Sequence, residues 1–192
     1  MEYFVESLHC MTAPRNEESI MKFIYCPRCG KKLIEKTTGD EGLVPFCEDC
    51  QKFFFEIPEP CVIICVFNEQ GEVALIRQEY VSKEHYVCVA GHIKIGEDSY
   101  ESAKREVEEE IGIPVKEMFH IKDYAYGSKE LLMIGYVAFV EKKPFQLSEE
   151  VDSAVWFSME EAVEKTREGS VANQLVFDAI KFYREKNEKE NL

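Results

Sequence analysis

The sequence predicts an α+β fold, a mixed β-sheet sandwiched between helices and preceded by a small cysteine-bearing module. Three observations predict it. Apolar runs suited to strands stand both before and after a helix with four-residue apolar spacing, hairpin signals join neighbouring runs, and two tight cysteine pairs precede them all. The chain of 192 residues has room for one ordinary domain and a satellite, and its 45% hydrophobic and 12% aromatic content suffices for a packed core.

Residues 1–22, with Pro14 and the polar run Arg15 to Ser19, show no sustained period and read as an N-terminal arm. Residues 23–57 hold the paired cysteines, with short strands expected at Lys32 to Glu35 and Phe53 to Ile57. Pro58 and Pro60 bracket a connector, because proline blocks regular pairing at a boundary, and residues 60–192 form the main domain. There, Val62 to Phe67 and Val73 to Arg77 read as strands flanking a turn that contains Gly71, and another strand follows at Tyr86 to Ala90. Ser99 to Ile111 reads as a helix, since Ala103, Val107 and Ile111 recur every four residues and Gly112 with Pro114 supplies a stop. Strands resume at Met118 to Tyr126 and Leu131 to Val140, and helices at Met159 to Thr166 and Asn173 to Lys186.

Lys plus Arg number 23 against 37 Asp plus Glu, a net charge of −14, which argues against sequence-independent binding to phosphate backbones. No apolar run approaches the ~18 residues of a membrane span, and residues 1–20 lack a basic segment followed by an apolar one; a cytoplasmic protein with no membrane partner is expected. In that compartment cysteines are better read as metal ligands than as disulfides. Cys26-Pro-Arg-Cys29 and Cys47-Glu-Asp-Cys50, separated by 17 residues, have zinc-ribbon spacing. Four thiolates close a tetrahedral shell around Zn2+ with no position left for water, so the expected site is structural. Cys61, Cys65 and Cys88 lie in apolar strands and are expected in the core. Cys10 beside His9 is read as incidental.

The helix Ser99 to Ile111 carries Glu106, Glu109 and Glu110 at i, i+3 and i+4, so three carboxylates share one face. Like charges so placed repel unless cations neutralise them, and hard divalent ions such as Mg2+ favour carboxylate oxygens. The bland reading is a solvated acidic face. Around the cluster, however, Gly91, five residues, Glu97, seven residues, Arg105-Glu106-Val107, one residue, Glu109-Glu110, one residue, Gly112-Ile113 matches every specified position of the Nudix box. With each fixed residue near 7% and each aliphatic position near a third, a chance match per start is on the order of 10⁻⁹.

The sequence thus resembles a Nudix hydrolase over roughly Cys61 to Lys186. The resemblance implies a Nudix-type mixed sheet between helices, a box of loop, helix and loop that binds Mg2+ or Mn2+, and hydrolysis of a phosphoanhydride in a nucleoside diphosphate derivative. By position, Glu106, Glu109 and Glu110 resemble the catalytic metal ligands, with the carbonyl of Gly91 as a further ligand and Glu150, six residues before Trp156, completing the site; Glu109 is the preferred base. Glu97 and Arg105 resemble a structural pair that holds the loop to the helix. A four-cysteine ribbon ahead of such a domain is similar to the NADH pyrophosphatase branch, which also removes NAD caps from RNA and is commonly dimeric. The resemblance therefore implies a small nucleotide substrate, most directly NADH or NAD, a possible homodimer, and no nucleic-acid partner except NAD-capped RNA. Where that branch carries Ser-Gln-Pro-Trp-Pro-Phe-Pro-x-Ser, this chain reads Asp123-Tyr-Ala-Tyr126-Gly-Ser-Lys-Glu-Leu131, followed by the matching Leu132-Met133. Arg77, Tyr124 and Tyr126 are the candidate substrate contacts. The alternative class is a regulatory module that binds a nucleotide metabolite without turnover, which has no need of three clustered acids.

Overall fold

A computed structural model describes residues 23–190, in two compact units that divide after Glu56. The arm expected over residues 1–22, with His9 and Cys10, lies outside the described residues.

The first unit is a three-stranded antiparallel sheet of β1 (Ile34–Thr37), β2 (Leu43–Cys47) and β3 (Lys52–Phe53), in that order. β2 escaped the sequence reading because Pro45 interrupts it, and β3 ends well before Ile57. The core of the unit is small: Cys26, Leu33 and Cys47 are buried, with Phe23 and Phe54 packed around them. Gly30 adopts φ +75°, and its amide donates to the carbonyl of Cys26, closing the turn that brings Cys26 and Cys29 together.

The second unit is built on β4 (Glu59–Asn68), ten residues flanked by β8 (Leu131–Val140) in parallel and by β5 (Val73–Arg77) and β6 (Val89–His92) antiparallel. β7 (Val115–Tyr126) and β9 (Ser153–Phe157) extend the sheet on either side in the order β7-β8-β4-β5-β9. β4 is apolar almost throughout because both of its faces are covered. Cys61, Ile63, Cys65 and Phe67 point toward α3 (Val171–Glu190), meeting Leu175, Val176 and Ala179. Val62, Ile64 and Val66 point the other way, toward Ala103, Val107 and Ile111 of α1 (Ser99–Ile111). The period of two along the strand thus places one helix on each face. α2 (Met159–Lys165) precedes α3 and contributes Ala162 to the same core as α3.

Two expectations are corrected here. Pro60 is not in a connector: it lies in the first residues of β4, where a missing amide is tolerated. The strand expected at Tyr86 to Ala90 begins at Val89, while Tyr86 and Val87 form only isolated bridges to Thr166 and Ile76. β9 was not anticipated. Cys61, Cys65 and Cys88 are all buried.

α1 is bounded on both sides by backbone chemistry. Asp98 caps its start, accepting from the Glu101 amide at 2.8 Å while Glu101 reaches back to the Asp98 amide. Gly112 ends it at φ +70°, where a Cβ would stand 2.5 Å from the Cβ of Gln146 and 2.8 Å from its carbonyl oxygen. Gly112→Ala is therefore expected to destabilise the protein by about 2 kcal/mol, combining the left-handed strain with a backbone clash. Urea unfolding monitored by circular dichroism measures this, and an unchanged midpoint would show that the neighbouring segment yields freely.

Candidate active site

The acidic face of α1 is turned partly inward. Glu106 and Glu110 are buried, at 9% and 4% exposure, because they flank the apolar row Ala103, Val107 and Ile111, whereas Glu109 looks outward. The backbone of Gly91 in β6 lies directly over Glu106; a Cβ at that position would fall 2.1 Å from the carboxyl carbon. Only glycine allows strand and carboxylate to come this close.

Arg105 ties the assembly together. Its Nε and Nη2 donate to the two oxygens of Glu97 at 2.6 and 2.9 Å, and Nη2 also donates to the carbonyl of His92 at 3.2 Å. Its Nη1 donates to Glu106 at 2.6 Å and to Glu109 at 2.9 Å. The bidentate bond to Arg105 outweighs burial and holds Glu97 down at about 2. One guanidinium thereby joins the Gly91–Glu97 loop to the helix and offsets two of its acids.

Glu110 receives no such relief. Gln78 Nε2 donates to its Oε1 at 3.0 Å, while Oε2 is buried with no hydrogen-bond partner. Burial, then the charge of Glu106 and, less strongly, that of Glu150, outweigh the Gln78 amide and the backbone amide of Ala90 and push Glu110 up to about 8. An orphaned carboxylate oxygen beside two further acids is the environment that a hard divalent cation satisfies, so the donor set fits such an ion. Glu150 is exposed and close enough for its charge to act on Glu110.

Beside the acids lies a cleft of ≈ 410 Å³ whose wall includes Gln78, Tyr80, Gly91, Tyr126 and Arg167. Tyr80 connects the two features. It stands largely exposed on the cleft wall, and partial desolvation of its phenol, then the charges of Glu110, Glu150, Glu106 and Asp152, raises its pKa. Of the three candidate substrate contacts, the structure brings only Tyr126 to this cleft. Tyr124 is buried in the α3-side core and donates its hydroxyl to Asp178 at 2.8 Å, so its alternation along β7 points it inward. Arg77 donates to the carbonyls of Lys83 and Glu84 and stacks on Tyr86, which commits its cation to shaping the loop after β5. Those two expectations are corrected. Gln78, Tyr80 and Arg167 were missed, since no local spacing connects them with Glu110 or with one another.

In the first unit, the four paired cysteines converge, with all their sulfurs within 4.8 Å of one another. The Cys26–Cys50 and Cys29–Cys47 sulfurs stand 3.8 and 3.5 Å apart, too far for disulfides. A tetrahedron of metal–sulfur bonds about 2.3 Å long has edges of about 3.8 Å. The amides of Arg28 and Cys50 donate to Cys26 and Cys47 at 3.4 Å each. Hydrogen bonding to Cys29, then burial, pushes Cys50 up to about 12, the direction expected where neighbouring sulfurs crowd one another and no cation offsets their charge.

Comparison with known proteins agrees with this geometry. The model of the NUDIX domain matches residues 58–178, and the chain belongs to that family. It is similar to the NAD-capped RNA hydrolase NudC of Photobacterium profundum, 24% identical over 169 residues that cover 88% of this chain and 62% of that protein. It also resembles the chloroplastic Nudix hydrolase 19 of Arabidopsis thaliana, at 31% identity over 71% of this chain and 33% of the relative. The chain thus spans less than two thirds of the length of these relatives. Among solved structures, a NUDIX hydrolase from Nitrosomonas europaea superposes with a TM-score of 0.66 at 18% identity, covering 80% of this chain and 88% of that one.

The raised Glu110 sets a pH dependence of stability. Below about pH 4.5 this group is protonated in both folded and unfolded chains; between about 4.5 and 8 only the unfolded chain releases the proton, so its contribution to stability is lost as pH rises. Protein freed of Mg2+ and Mn2+ is therefore expected to lose thermal stability across that window. Glu110→Gln is expected to flatten the loss and raise Tm at pH 8 by about 5 °C. Parallel wild-type and mutant Tm profiles would contradict this.

Proposed function

We propose that this chain is a divalent-metal-dependent hydrolase that cleaves the phosphoanhydride of a nucleoside diphosphate derivative, with a dinucleotide such as NADH or NAD as the substrate. The observation that carries the reading is the partnerless Oε2 of Glu110, buried beside Glu106 and Gly91 at the edge of an aromatic cleft. Glu106, Glu109 and Glu110, with the Gly91 carbonyl and Glu150, are the groups that would hold Mg2+ or Mn2+. When bound, such an ion offsets diphosphate charge and polarises the P–O bond.

The residues have distinct tasks. Arg105 grips Oε2 of Glu109, leaving Oε1 as the atom that takes a proton from the attacking water. The water oxygen bonds to one phosphorus, the bridging P–O bond breaks, and two monophosphates leave. Glu97 keeps Arg105 in place, and Tyr80 and Tyr126 offer ring faces to a base. The likeness to NAD-capped RNA hydrolases from Photobacterium profundum and Homo sapiens supports a dinucleotide, whether free or at the end of an RNA.

Glu109→Gln is expected to keep the fold and to lower turnover of NADH at least about a hundredfold, because it removes the proton acceptor without changing size. Steady-state kinetics with Mg2+ and with Mn2+, alongside circular dichroism, test this; near wild-type turnover removes Glu109 from the chemistry. Hydrolysis in 18O-labelled water identifies the phosphorus attacked.

For the first unit we propose Zn2+, bound by Cys26, Cys29, Cys47 and Cys50. Elemental analysis is expected to find one zinc per chain, lost with Cys47→Ser. Purified protein with intact thiols and no zinc would overturn the assignment.

A further inference from the structure

Among the described residues, Arg167 is the only Lys or Arg on the wall of the ≈ 410 Å³ cleft. Its guanidinium makes no hydrogen bond or ion pair with any described residue, although acids outnumber bases by 37 to 23 in this chain. The turn that carries it, between α2 and α3, is firmly anchored. Thr166 is buried, donates its hydroxyl to the Ala162 carbonyl at 3.1 Å and accepts from Asn173 Nδ2 at 3.0 Å. Asn173 also binds the Val163 carbonyl and the Gly169 amide. An unpaired cation held on a pre-organised turn in a cleft with aromatic walls is a place for an anionic group of a ligand.

Position along the sheet points that group away from the diphosphate. Thr166 pairs with Tyr86, whereas the acids lie at Gly91, five residues further along a nearly extended segment and thus up to about 17 Å away. An anion meeting Arg167 is set off from the reacting phosphorus by about a nucleoside. We propose that Arg167 is a specificity-determining residue that recognises a phosphate esterified to the ribose of the nucleotide in the cleft. This rests on the reading of the acids as the diphosphate site. The chemistry has two sources: the 2′-phosphate of a free phosphorylated dinucleotide, and the 3′-phosphodiester that continues an NAD-capped RNA.

Calorimetry with AMP, adenosine 2′,5′-bisphosphate and adenosine 3′,5′-bisphosphate in the presence of Mg2+ separates these. The wild type is expected to bind at least one bisphosphate tenfold or more tighter than AMP, the 2′ or the 3′ isomer marking the source. Arg167→Ala is expected to reduce that preference below threefold, with Arg167→Lys between the two. In turnover, the ratio of kcat/KM for NADPH, or for an NAD-capped oligonucleotide, to that for NADH falls at least tenfold in Arg167→Ala. Equal binding of all three ligands by the wild type, no binding of any, or an equal loss for all three in the mutant overturns the proposal, the last by placing Arg167 on the 5′-phosphate. A wild type that keeps the bisphosphate preference yet hydrolyses no dinucleotide sinks the catalytic reading and leaves the Arg167 site standing.

Discussion

The arrangement of the acidic site depends on one guanidinium. Arg105 makes six hydrogen bonds, to both oxygens of Glu97, to Glu106, to Glu109, to the His92 carbonyl and to Ser102. Those partners belong to two segments that no covalent geometry forces together, the loop after β6 and the middle of α1. The planar fork of arginine suits this role, since the edge facing Glu97 is satisfied bidentately while the opposite nitrogen remains available to two further carboxylates. Lysine would present a point charge with no fixed plane. The loop conformation that lays Gly91 over Glu106 is thus coupled, through Arg105, to the rotamers of the acids themselves.

The sheet supplies the other half of the constraint. β4 is apolar on both faces, so α1 and α3 pack on opposite sides of it, and β6 is held against it in a register that pairs Val62 with Gly91. This register brings Gly91 to the α1 side at the level of Glu106. A slip of one residue would substitute Ala90 or His92 and drive a side chain into the carboxylate. Core packing and site geometry are therefore specified by the same strand pairing.

How much of this was legible in the sequence follows from how local each signal is. α1, β5 and β8 were read with the bounds they have, because their apolar periods are uninterrupted and their ends carry turn residues. β2 was hidden by Pro45, and β9 by Ser153 and Ala154, which break the apolar run. The acidic cluster was visible because helical spacing brings positions 106, 109 and 110 together within one turn. Gln78 was invisible, since its bond to Glu110 spans 32 positions and depends on the sheet having formed. Tyr124 and Tyr126 illustrate the limit most simply. They share one face of an alternating strand, yet Tyr124 is bonded to Asp178 of α3, while Tyr126 at the strand's end lines the cleft.

Charge bookkeeping explains why the box calls for a divalent ion. Glu97, Glu106, Glu109 and Glu110 bring four negative charges to one loop and helix, and Arg105 returns one positive charge, aimed at the first three. Lys94 approaches Glu109 at 3.7 Å but is well exposed, where a single ion pair contributes little. Glu110 is left buried, next to Glu106, with a neutral amide as its hydrogen-bonding side chain. Without an ion, burial and the charge of Glu106 favour its protonated form, and it rises to about 8. A second arginine would neutralise the charge but fill the space. A small divalent cation neutralises two acids at once and still accepts further oxygens, so the feature that makes the ion-free box costly is also the one that leaves room for a diphosphate.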